Sequence, residues 1–187
     1  MGTDTENLSR GLAKWEVVDK LSDIALRHCE GCLVEIGMGF STYVLAQRAR
    51  KAERTLYSCD LPGKRTKKLF DDHVINLQGS AHFIKEFKPQ PIAIVFLDGC
   101  HDYDVVKTEV DFFLSFLSPG GLMFIHDTLP PNERYLPSHK CSDSYKVRRE
   151  LERNLEVNCF TWPYTAGGVG LTMVMKKAEE IYEICQQ

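Results

Sequence analysis

The order of apolar segments constrains the fold of this chain more than any other feature. Short apolar runs alternate five times with longer stretches in which apolar residues recur every three or four positions. The short runs predict buried strands, and the longer period predicts amphipathic helices. Strand–helix–strand units connect parallel strands through right-handed crossovers. The alternation therefore predicts a parallel sheet covered by helices on both faces. The five strands are expected at CLVEI, TLYSCD, VINLQG, PIAIVFLDG and LMFIHD.

Two more strands, VNCFTW and GVGLTMVMK, are expected late in the chain. They favour an antiparallel edge on the sheet, because a short glycine-rich turn precedes the second. We expect residues 118–121, Ser-Pro-Gly-Gly, to end the helix before the fifth strand. With no repeat and no linker, the chain is expected to form a single domain over residues 1–187. Helices are expected over 6–28, 41–52, 64–72, 81–87, 103–117 and 143–154, with a short one at the C terminus.

The composition narrows the class of protein. The 187 residues are 43% hydrophobic and 26% charged, with a net charge of −3, which predicts a globular domain without the basic excess typical of nucleic-acid binding. No apolar run is long enough for a bilayer, and the first residues lack the apolar core of a signal peptide. The seven cysteines are scattered, which indicates reduced thiols. We read the Cys29–Cys32 pair as packing residues rather than a redox motif, and we expect a cytoplasmic protein.

A glycine loop follows the first strand. Gly37 and Gly39 allow the backbone to turn sharply and a ligand to approach it closely. A dinucleotide fingerprint would need glycine or alanine where Thr42 stands, and no phosphate-binding Gly-Lys-Ser/Thr follows. Glu35 would repel a pyrophosphate but suits a ligand with an ammonium or sulfonium cation. Asp60, at the end of the second strand, can accept hydrogen bonds from a ribose diol.

Acidic and histidine residues follow the fourth and fifth strands. Asp98, His101 and Asp127, with His126 as a further candidate, come from the ends of strands that lie ~4.8 Å apart. Two carboxylates, together with waters and a substrate hydroxyl, form an oxygen-rich site that suits Mg²⁺ or Mn²⁺. Asp98 and Asp127 are therefore candidate metal ligands.

Three motifs carry a resemblance to a known family. The segment VEIGMGFST (34–42), followed by Cys59-Asp60, resembles the first motif and the acidic residue of class I S-adenosylmethionine-dependent methyltransferases. The segment over 95–128, VFLDGCHDYDVVKTEVDFFLSFLSPGGLMFIHDT, is similar to the small-molecule O-methyltransferase branch. That branch includes macrolide-sugar and cephalosporin-cluster enzymes and is related to the catechol type. The resemblance covers residues 15–175.

The resemblance implies a fold and a set of roles. The fold is the Rossmann-like α/β sandwich of class I methyltransferases, with seven strands in the order 3-2-1-4-5-7-6 and strand 7 antiparallel. The activity is methyl transfer from S-adenosylmethionine to a hydroxyl of a small molecule, with Mg²⁺ or Mn²⁺ assistance left open. His101 stands three residues after Asp98, where the catechol type has a lysine base, so the two are the candidate catalytic residues. The candidate cofactor-binding residues are Glu35, Gly37, Gly39, Ser41, Asp60, Ser80, Ala81 and Asp98.

Departures and alternatives remain at this point. Many relatives carry an acidic residue near Ser80, and Thr128 replaces an asparagine of the catechol pattern. His101 could be a metal ligand instead of a base. The rival functions are a nicotinamide-dependent oxidoreductase and a cofactor-binding scaffold without turnover. We expect Glu109 and Asp111 to be solvated on a helix, Tyr103 and Tyr164 either to line the site or to pack, and Trp15 to lie on an exposed helix that could pack across a homodimer.

Overall fold

The polypeptide alternates between strands and helices along its length. The computed structural model describes residues 4–63, 67–137, 141–163 and 169–177, with side chains from residue 15 onward. The helices are α1 (Asp4–His28), α2 (Phe40–Lys51), α3 (Ser80–Glu86), α4 (Tyr103–Phe116) and α5 (Tyr145–Leu151), with a 3₁₀ turn at Glu133–Tyr135. The strands are β1 (Cys32–Ile36), β2 (Leu56–Cys59), β3 (His73–Asn76), β4 (Ile92–Leu97), β5 (Leu117–His126), β6 (Val157–Trp162) and β7 (Leu171–Lys176).

The seven strands form one sheet in the order β3-β2-β1-β4-β5-β7-β6. All neighbouring pairs from β3 to β5 are parallel, and β7 runs antiparallel to both β5 and β6. The predicted order and the antiparallel seventh strand are confirmed. Because parallel strands share one carboxyl edge, the loops after β1, β2, β3, β4 and β5 meet along that edge.

Two hydrophobic cores lie on opposite faces of the sheet. Successive strand residues point to opposite faces, so Leu33 packs in one core and Val34 in the other. One core contains the phenylalanines of α3 and α4, among them Phe83 and Phe113. The other is formed against α1 and α2 and includes Phe96 of β4. Burial on both faces explains why β4 is apolar throughout.

Trp15 packs within its own chain. Its ring lies 5.9 Å from Phe96 and 5.6 Å from Phe40, between centroids. The indole therefore contributes to the α1–α2 core, and homodimer formation stays a prediction without support from this residue. None of the described helices has the length and apolar character needed to cross a membrane.

Two local predictions were wrong. Residues 67–72, within the helix expected over 64–72, are not helical; residues 64–66 lie outside the described part. The backbone N–H of Leu69 donates to Nδ1 of His73, and Phe70 stacks on the His73 ring at 5.8 Å, so contacts with β3 replace helical hydrogen bonds. The fifth strand also begins earlier than the expected Leu122: α4 ends at Phe116, just before residues 118–121 as predicted, but these residues already belong to β5, which begins at Leu117. Their glycines allow close contact, since a Cβ on Gly121 would lie 3.0 Å from the Ala93 carbonyl oxygen. The expected C-terminal helix lies outside the described residues.

The Cys29–Cys32 pair fits the packing interpretation. Both side chains are buried, and the Cys29 thiol donates to the carbonyl oxygen of Ala25 at 3.0 Å. Burial raises the pKa of Cys32 to about 12 and also raises that of Cys29. Thiols with raised pKa are poor nucleophiles, as expected for packing residues.

Candidate active site

The loops after β1, β2 and β4 are tied together at the carboxyl edge of the sheet. Gly37 has a φ of +86°, and a Cβ at this position would overlap the carbonyl group of Asp98. Only glycine therefore lets the β1 and β4 loops touch. The Asp60 carboxylate accepts hydrogen bonds from the backbone N–H groups of Met38 at 3.0 Å and Leu61 at 2.7 Å. The glycine loop and the carboxylate predicted to bind ribose thus form one unit.

A cavity of about 160 Å³ opens between these loops. Four of the predicted cofactor-binding residues line it: Gly37, Asp60, Ser80 and Asp98. The other residues that line the cavity come from the same strand ends and were not predicted to contact a ligand: Ile36, Cys59, Leu61, Gly79, Gly99 and Cys100.

The other predicted cofactor-binding residues lie around this cavity without lining it. Glu35 and Ser41 are buried. The Gly39 N–H donates to the Thr42 hydroxyl at 3.0 Å, which closes the first turn of α2. Ala81 is exposed in the first turn of α3. Direct ligand contacts by these four residues stay predictions.

Glu35 organises the glycine loop from beneath. One carboxyl oxygen accepts hydrogen bonds from Ser41 at 2.6 Å and Thr42 at 3.1 Å, and the other accepts one from Ser58 at 2.8 Å. Burial raises the pKa of Glu35 to about 7, although these three hydroxyls oppose the shift. The carboxyl group therefore fixes the start of α2 relative to β1 and β2.

A histidine missed by the sequence analysis extends this network. Nε2 of buried His73 lies 3.0 Å from the Ser58 hydroxyl, and its Nδ1 accepts the Leu69 N–H at 3.2 Å. Because Nδ1 accepts, the proton sits on Nε2 and points to Ser58. The chain Leu69–His73–Ser58–Glu35 connects the loop before β3 to the glycine loop. The sequence carried no signal for it, because the third strand was expected to begin at Val74 and His73 stands just before that residue.

The predicted acid and histidine cluster forms beside the cavity. Nε2 of His101 lies 3.4 Å from Asp98 Oδ1, and its Nδ1 lies 3.9 Å from Asp127 Oδ2. Nδ1 of His126 lies 2.8 Å from Asp98 Oδ1 and 3.0 Å from Asp127 Oδ1. The side chains are 11–26% exposed, so the cluster is screened from solvent but reachable. The structure thus brings together all four residues that the sequence placed at the ends of β4 and β5.

The backbone at Asp127 is unusual. Its φ is +55°, a left-handed conformation that only a few non-glycine residues adopt, aspartate among them. Its N–H donates to the Gly170 carbonyl at 2.9 Å, and its carbonyl accepts the Ser144 hydroxyl at 2.7 Å. These two bonds hold the strained residue so that its side chain stays in the cluster.

The prediction that Glu109 is solvated was wrong. Its side chain is 1% exposed, and among the described residues neither carboxyl oxygen receives an ordinary hydrogen bond. Burial raises its pKa to about 7, while the nearby Ser80 hydroxyl and His101 oppose the shift. The sequence did carry a signal, because Glu109 stands three residues after Val106 and four before Phe113, within the apolar stripe of α4. Asp111 is exposed and pairs with Lys107, as expected.

Stability should depend on pH through Glu109. The folded-state pKa of about 7 lies above the ordinary value of 4.5, so the stabilising contribution is complete below pH 4.5 and is lost as the pH rises through 7. Relative to a Glu109→Met variant, the unaltered chain should lose about 2–3 kcal/mol of unfolding free energy between pH 5 and pH 8. Urea denaturation at both pH values measures this. The exposed Asp111→Asn serves as control. The prediction would be contradicted if the difference in unfolding free energy between the unaltered chain and Glu109→Met were the same at pH 5 and pH 8.

Of the two tyrosines expected either to line the site or to pack, the structure describes Tyr103. The Tyr103 hydroxyl donates to Glu150 of α5 at 2.5 Å, and the Tyr103 N–H donates to Asp143 at 2.6 Å. Tyr103 therefore joins α4 to α5 and does not line the cavity. Tyr164 lies outside the described residues.

A comparison with known protein families matches about half of the chain. A family model described as a methyltransferase domain matches residues 34–128. That segment runs from the glycine loop to the end of the acid and histidine cluster. No curated protein sequence matches the chain.

Solved structures share the fold. A protein from Corynebacterium glutamicum is similar with a TM-score of 0.66 and 13% identity, over 97% of this chain and 94% of that chain. The Podospora anserina methyltransferase PaMTH1, solved with S-adenosylhomocysteine, has a TM-score of 0.62 and 17% identity over 84% and 76% of the two chains. The MycE methyltransferase of mycinamycin biosynthesis, solved with Mg and S-adenosylhomocysteine, has a TM-score of 0.61 and 17% identity over 89% and 50%.

Proposed function

The chain belongs to the methyltransferase domain family, and from this we propose that it transfers a methyl group from S-adenosylmethionine to a hydroxyl of a small molecule. The observation that carries the choice of acceptor is His101, whose imidazole lies between the carboxylates of Asp98 and Asp127 beside the cavity. An alcohol loses its proton when its oxygen is methylated, so the reaction requires a nearby group that can take up that proton.

The cavity supports S-adenosylmethionine as the methyl donor. Asp60 presents a buried carboxylate where a ribose diol can donate two hydrogen bonds, and Gly37 exposes backbone beside it. Asp98 lines the same cavity on the side of the cluster, where a carboxylate is favourable beside a sulfonium centre. The donor's methyl group would then face His101. PaMTH1 and MycE, both solved with S-adenosylhomocysteine, offer a precedent on the same fold.

Replacing Asp60 with alanine should weaken cofactor binding by about 1.5–3 kcal/mol, the range for hydrogen bonds to a charged group. The variant loses the ribose acceptor and also the bonds that fix Met38 and Leu61. Isothermal titration calorimetry with S-adenosylmethionine measures the change, and Asp71→Asn, in the exposed turn before β3, serves as a control. An affinity equal to that of the unaltered chain would remove Asp60 from the site.

The chemistry follows from the placement of His101. The imidazole takes the proton of the acceptor hydroxyl while the oxygen attacks the methyl carbon. The O–C bond forms as the S–C bond breaks, and the donor leaves as a neutral thioether. The carboxylates of Asp98 and Asp127 stabilise the imidazolium cation that results. By stabilising the imidazolium of His101, both carboxylates lower the free energy of the transition state.

The cluster also fits a divalent cation. One ligand atom from each of Asp98, His101, His126 and Asp127 lies within 4.8 Å of the others. Nδ1 of His126 approaches both carboxylates without an ordinary hydrogen bond to a described residue, as expected for an atom directed at a shared ion. Carboxylates suit Mg²⁺ and Mn²⁺, and the imidazoles favour Mn²⁺ of the two. Bound there, the ion would lower the pKa of the acceptor hydroxyl and orient its oxygen.

Mass spectrometry tests the proposed function. The chain is incubated with S-adenosylmethionine that carries a deuterated methyl group and with panels of small alcohols, phenols and sugars, and products are searched for the added label. Calorimetry with S-adenosylmethionine and with NAD separates the rival enzyme class. Tight NAD binding without S-adenosylmethionine binding would overturn the proposal, and cofactor binding without a labelled product from any panel would favour the scaffold.

A further inference from the structure

A second cavity, of about 250 Å³, lies between α5 and the loop that follows β5. Two arginines of α5, Arg148 and Arg149, line it together with Tyr145, and Asn132 adds an amide group from the loop. Among the described residues, no aspartate or glutamate lines this cavity. A concave surface with cations and without an acid of its own favours an anionic ligand.

Arg148 is fixed in place by the residue that follows Asp127 of the acid and histidine cluster. Its Nε donates to the carbonyl oxygen of Thr128 at 3.0 Å, and its Nη1 donates to Glu152 at 2.5 Å. These two bonds use neither N–H of Nη2, so donors remain for a ligand. The side chain is 13% exposed, so solvent screens a hydrogen bond to it only weakly.

Arg149 supplies a second cation on the same helix. Its guanidinium lies over the Tyr145 ring, 5.0 Å from the centroid, and this contact orients the side chain. Among the described residues no carboxylate forms an ion pair with Arg149, since Glu152 pairs with Arg148 instead. The charge of Arg149 is therefore available to a ligand in the cavity.

The cavity and the cluster share one stretch of chain. Asp127, in the cluster, is followed by Thr128, whose carbonyl holds Arg148, and then by Leu129, which lines the cavity. Two residues of chain span at most about 7 Å, which is within the length of a small molecule. An acceptor whose hydroxyl lies at His101 would then reach the arginines with its other end.

We propose that this cavity binds an anionic group of the methyl acceptor, so that hydroxylated carboxylates and phosphate monoesters are preferred to neutral alcohols. The inference rests on the proposed function, because it concerns the acceptor of that reaction. The guanidinium groups of Arg148 and Arg149 would donate to the oxygens of the anion, whose geometry the planar guanidinium matches. An acceptor held at both ends would keep its hydroxyl oriented toward the donor's methyl group.

The experiment compares acids with their neutral amides. The acids are para-hydroxybenzoate, para-hydroxyphenylacetate, para-hydroxyphenylpropanoate and, without an aromatic ring, glucuronate, each assayed beside its amide with S-adenosylmethionine that carries a deuterated methyl group. The kcat/KM for the best acid should exceed that for its amide by about 10- to 100-fold, the range for hydrogen bonds to a charged group. Arg149→Gln should lower this ratio about tenfold. Arg153→Gln, which changes an exposed arginine just after α5, should not.

The outcomes separate this inference from the proposed function. Methyl transfer to the amides as readily as to the acids, or a ratio unchanged in Arg149→Gln, would overturn the inference and leave the proposed function intact. Inorganic phosphate is titrated as well. Phosphate binding that Arg149→Gln removes, together with an acid-to-amide ratio near one, would make the cavity a site for a free anion and overturn its role in acceptor binding.

Calorimetry decides if no pair is methylated. The acids and amides are then titrated into the chain saturated with S-adenosylhomocysteine. Binding that the amides lack and that Arg149→Gln weakens would support the inference, whereas equal binding, or none, would overturn it. Failure of the unaltered chain to bind S-adenosylmethionine or S-adenosylhomocysteine would overturn the proposed function and this inference together.

Discussion

Replacing His101 with alanine is expected to lower kcat by about 10²- to 10⁴-fold, the contribution of a positioned general base. The imidazole lies beside Asp98 and Asp127, and an imidazole accepts a proton more readily than a carboxylate does. Cofactor affinity should remain near that of the unaltered chain, because the substitution leaves the glycine loop and Asp60 unchanged. Steady-state kinetics with a methyl acceptor, combined with calorimetry, measure both quantities.

The buried His73 provides the matched control. Its ring belongs to the Glu35 network and faces β2 rather than the cluster. A His73→Gln variant should therefore keep kcat within a few-fold of the unaltered chain. A His101→Ala variant with nearly normal kcat would contradict the role of base. A variant whose activity returns fully with excess metal would instead make His101 a metal ligand.

Removing divalent cations with EDTA is expected to lower turnover by about 10²- to 10³-fold, since a bound ion contributes several kcal/mol to such a reaction. Addition of Mn²⁺ or Mg²⁺ should restore it, with Mn²⁺ effective at the lower concentration because the imidazole of His126 contributes to the cluster. Asp127→Asn should raise the metal concentration that gives half of full activity by more than about tenfold, since it removes one anionic ligand.

The chelation result separates two roles for the carboxylates. Turnover that is indifferent to EDTA would mean that Asp98 and Asp127 act only by orienting His101 and stabilising its cation. In that case Asp127→Asn should still lower kcat, but no metal concentration would change the effect. The exposed Asp111→Asn should respond to EDTA and metal as the unaltered chain does.

Much of the fold could be predicted because the apolar pattern directly reports burial. β4 appears near its expected position, since a run of apolar residues between turn residues has few alternatives. The region around Leu69 could not be predicted locally. Its charged, periodic sequence suits a helix, but the contacts of Leu69 and Phe70 with His73 come from a strand and depend on the folded sheet.

Some residues of the candidate site could likewise be predicted from the sequence, and others could not. Asp98, His101 and Asp127 could be placed together because each follows a strand at the shared edge. Glu109 and His73 could not, because each is a polar residue on an apolar face. A charged side chain on a helix is ordinarily solvated. Only the packing of α4 against α3 and the sheet reveals that Glu109 is enclosed.

Asp98 belongs to both halves of the site, since it lines the cavity and lies 2.8 Å from His126 in the cluster. Its carbonyl also contacts Gly37 of the glycine loop. A ligand that fixes Asp98 from one side would therefore change the affinity for a ligand on the other. Such coupling is reciprocal. If bound S-adenosylmethionine raises the affinity for the methyl acceptor or the metal ion by some factor, the bound acceptor or ion raises the affinity for S-adenosylmethionine by the same factor. In the proposed complex, conversion of the sulfonium cation to a neutral thioether would weaken the attraction to Asp98 and so couple methyl transfer to release of the products.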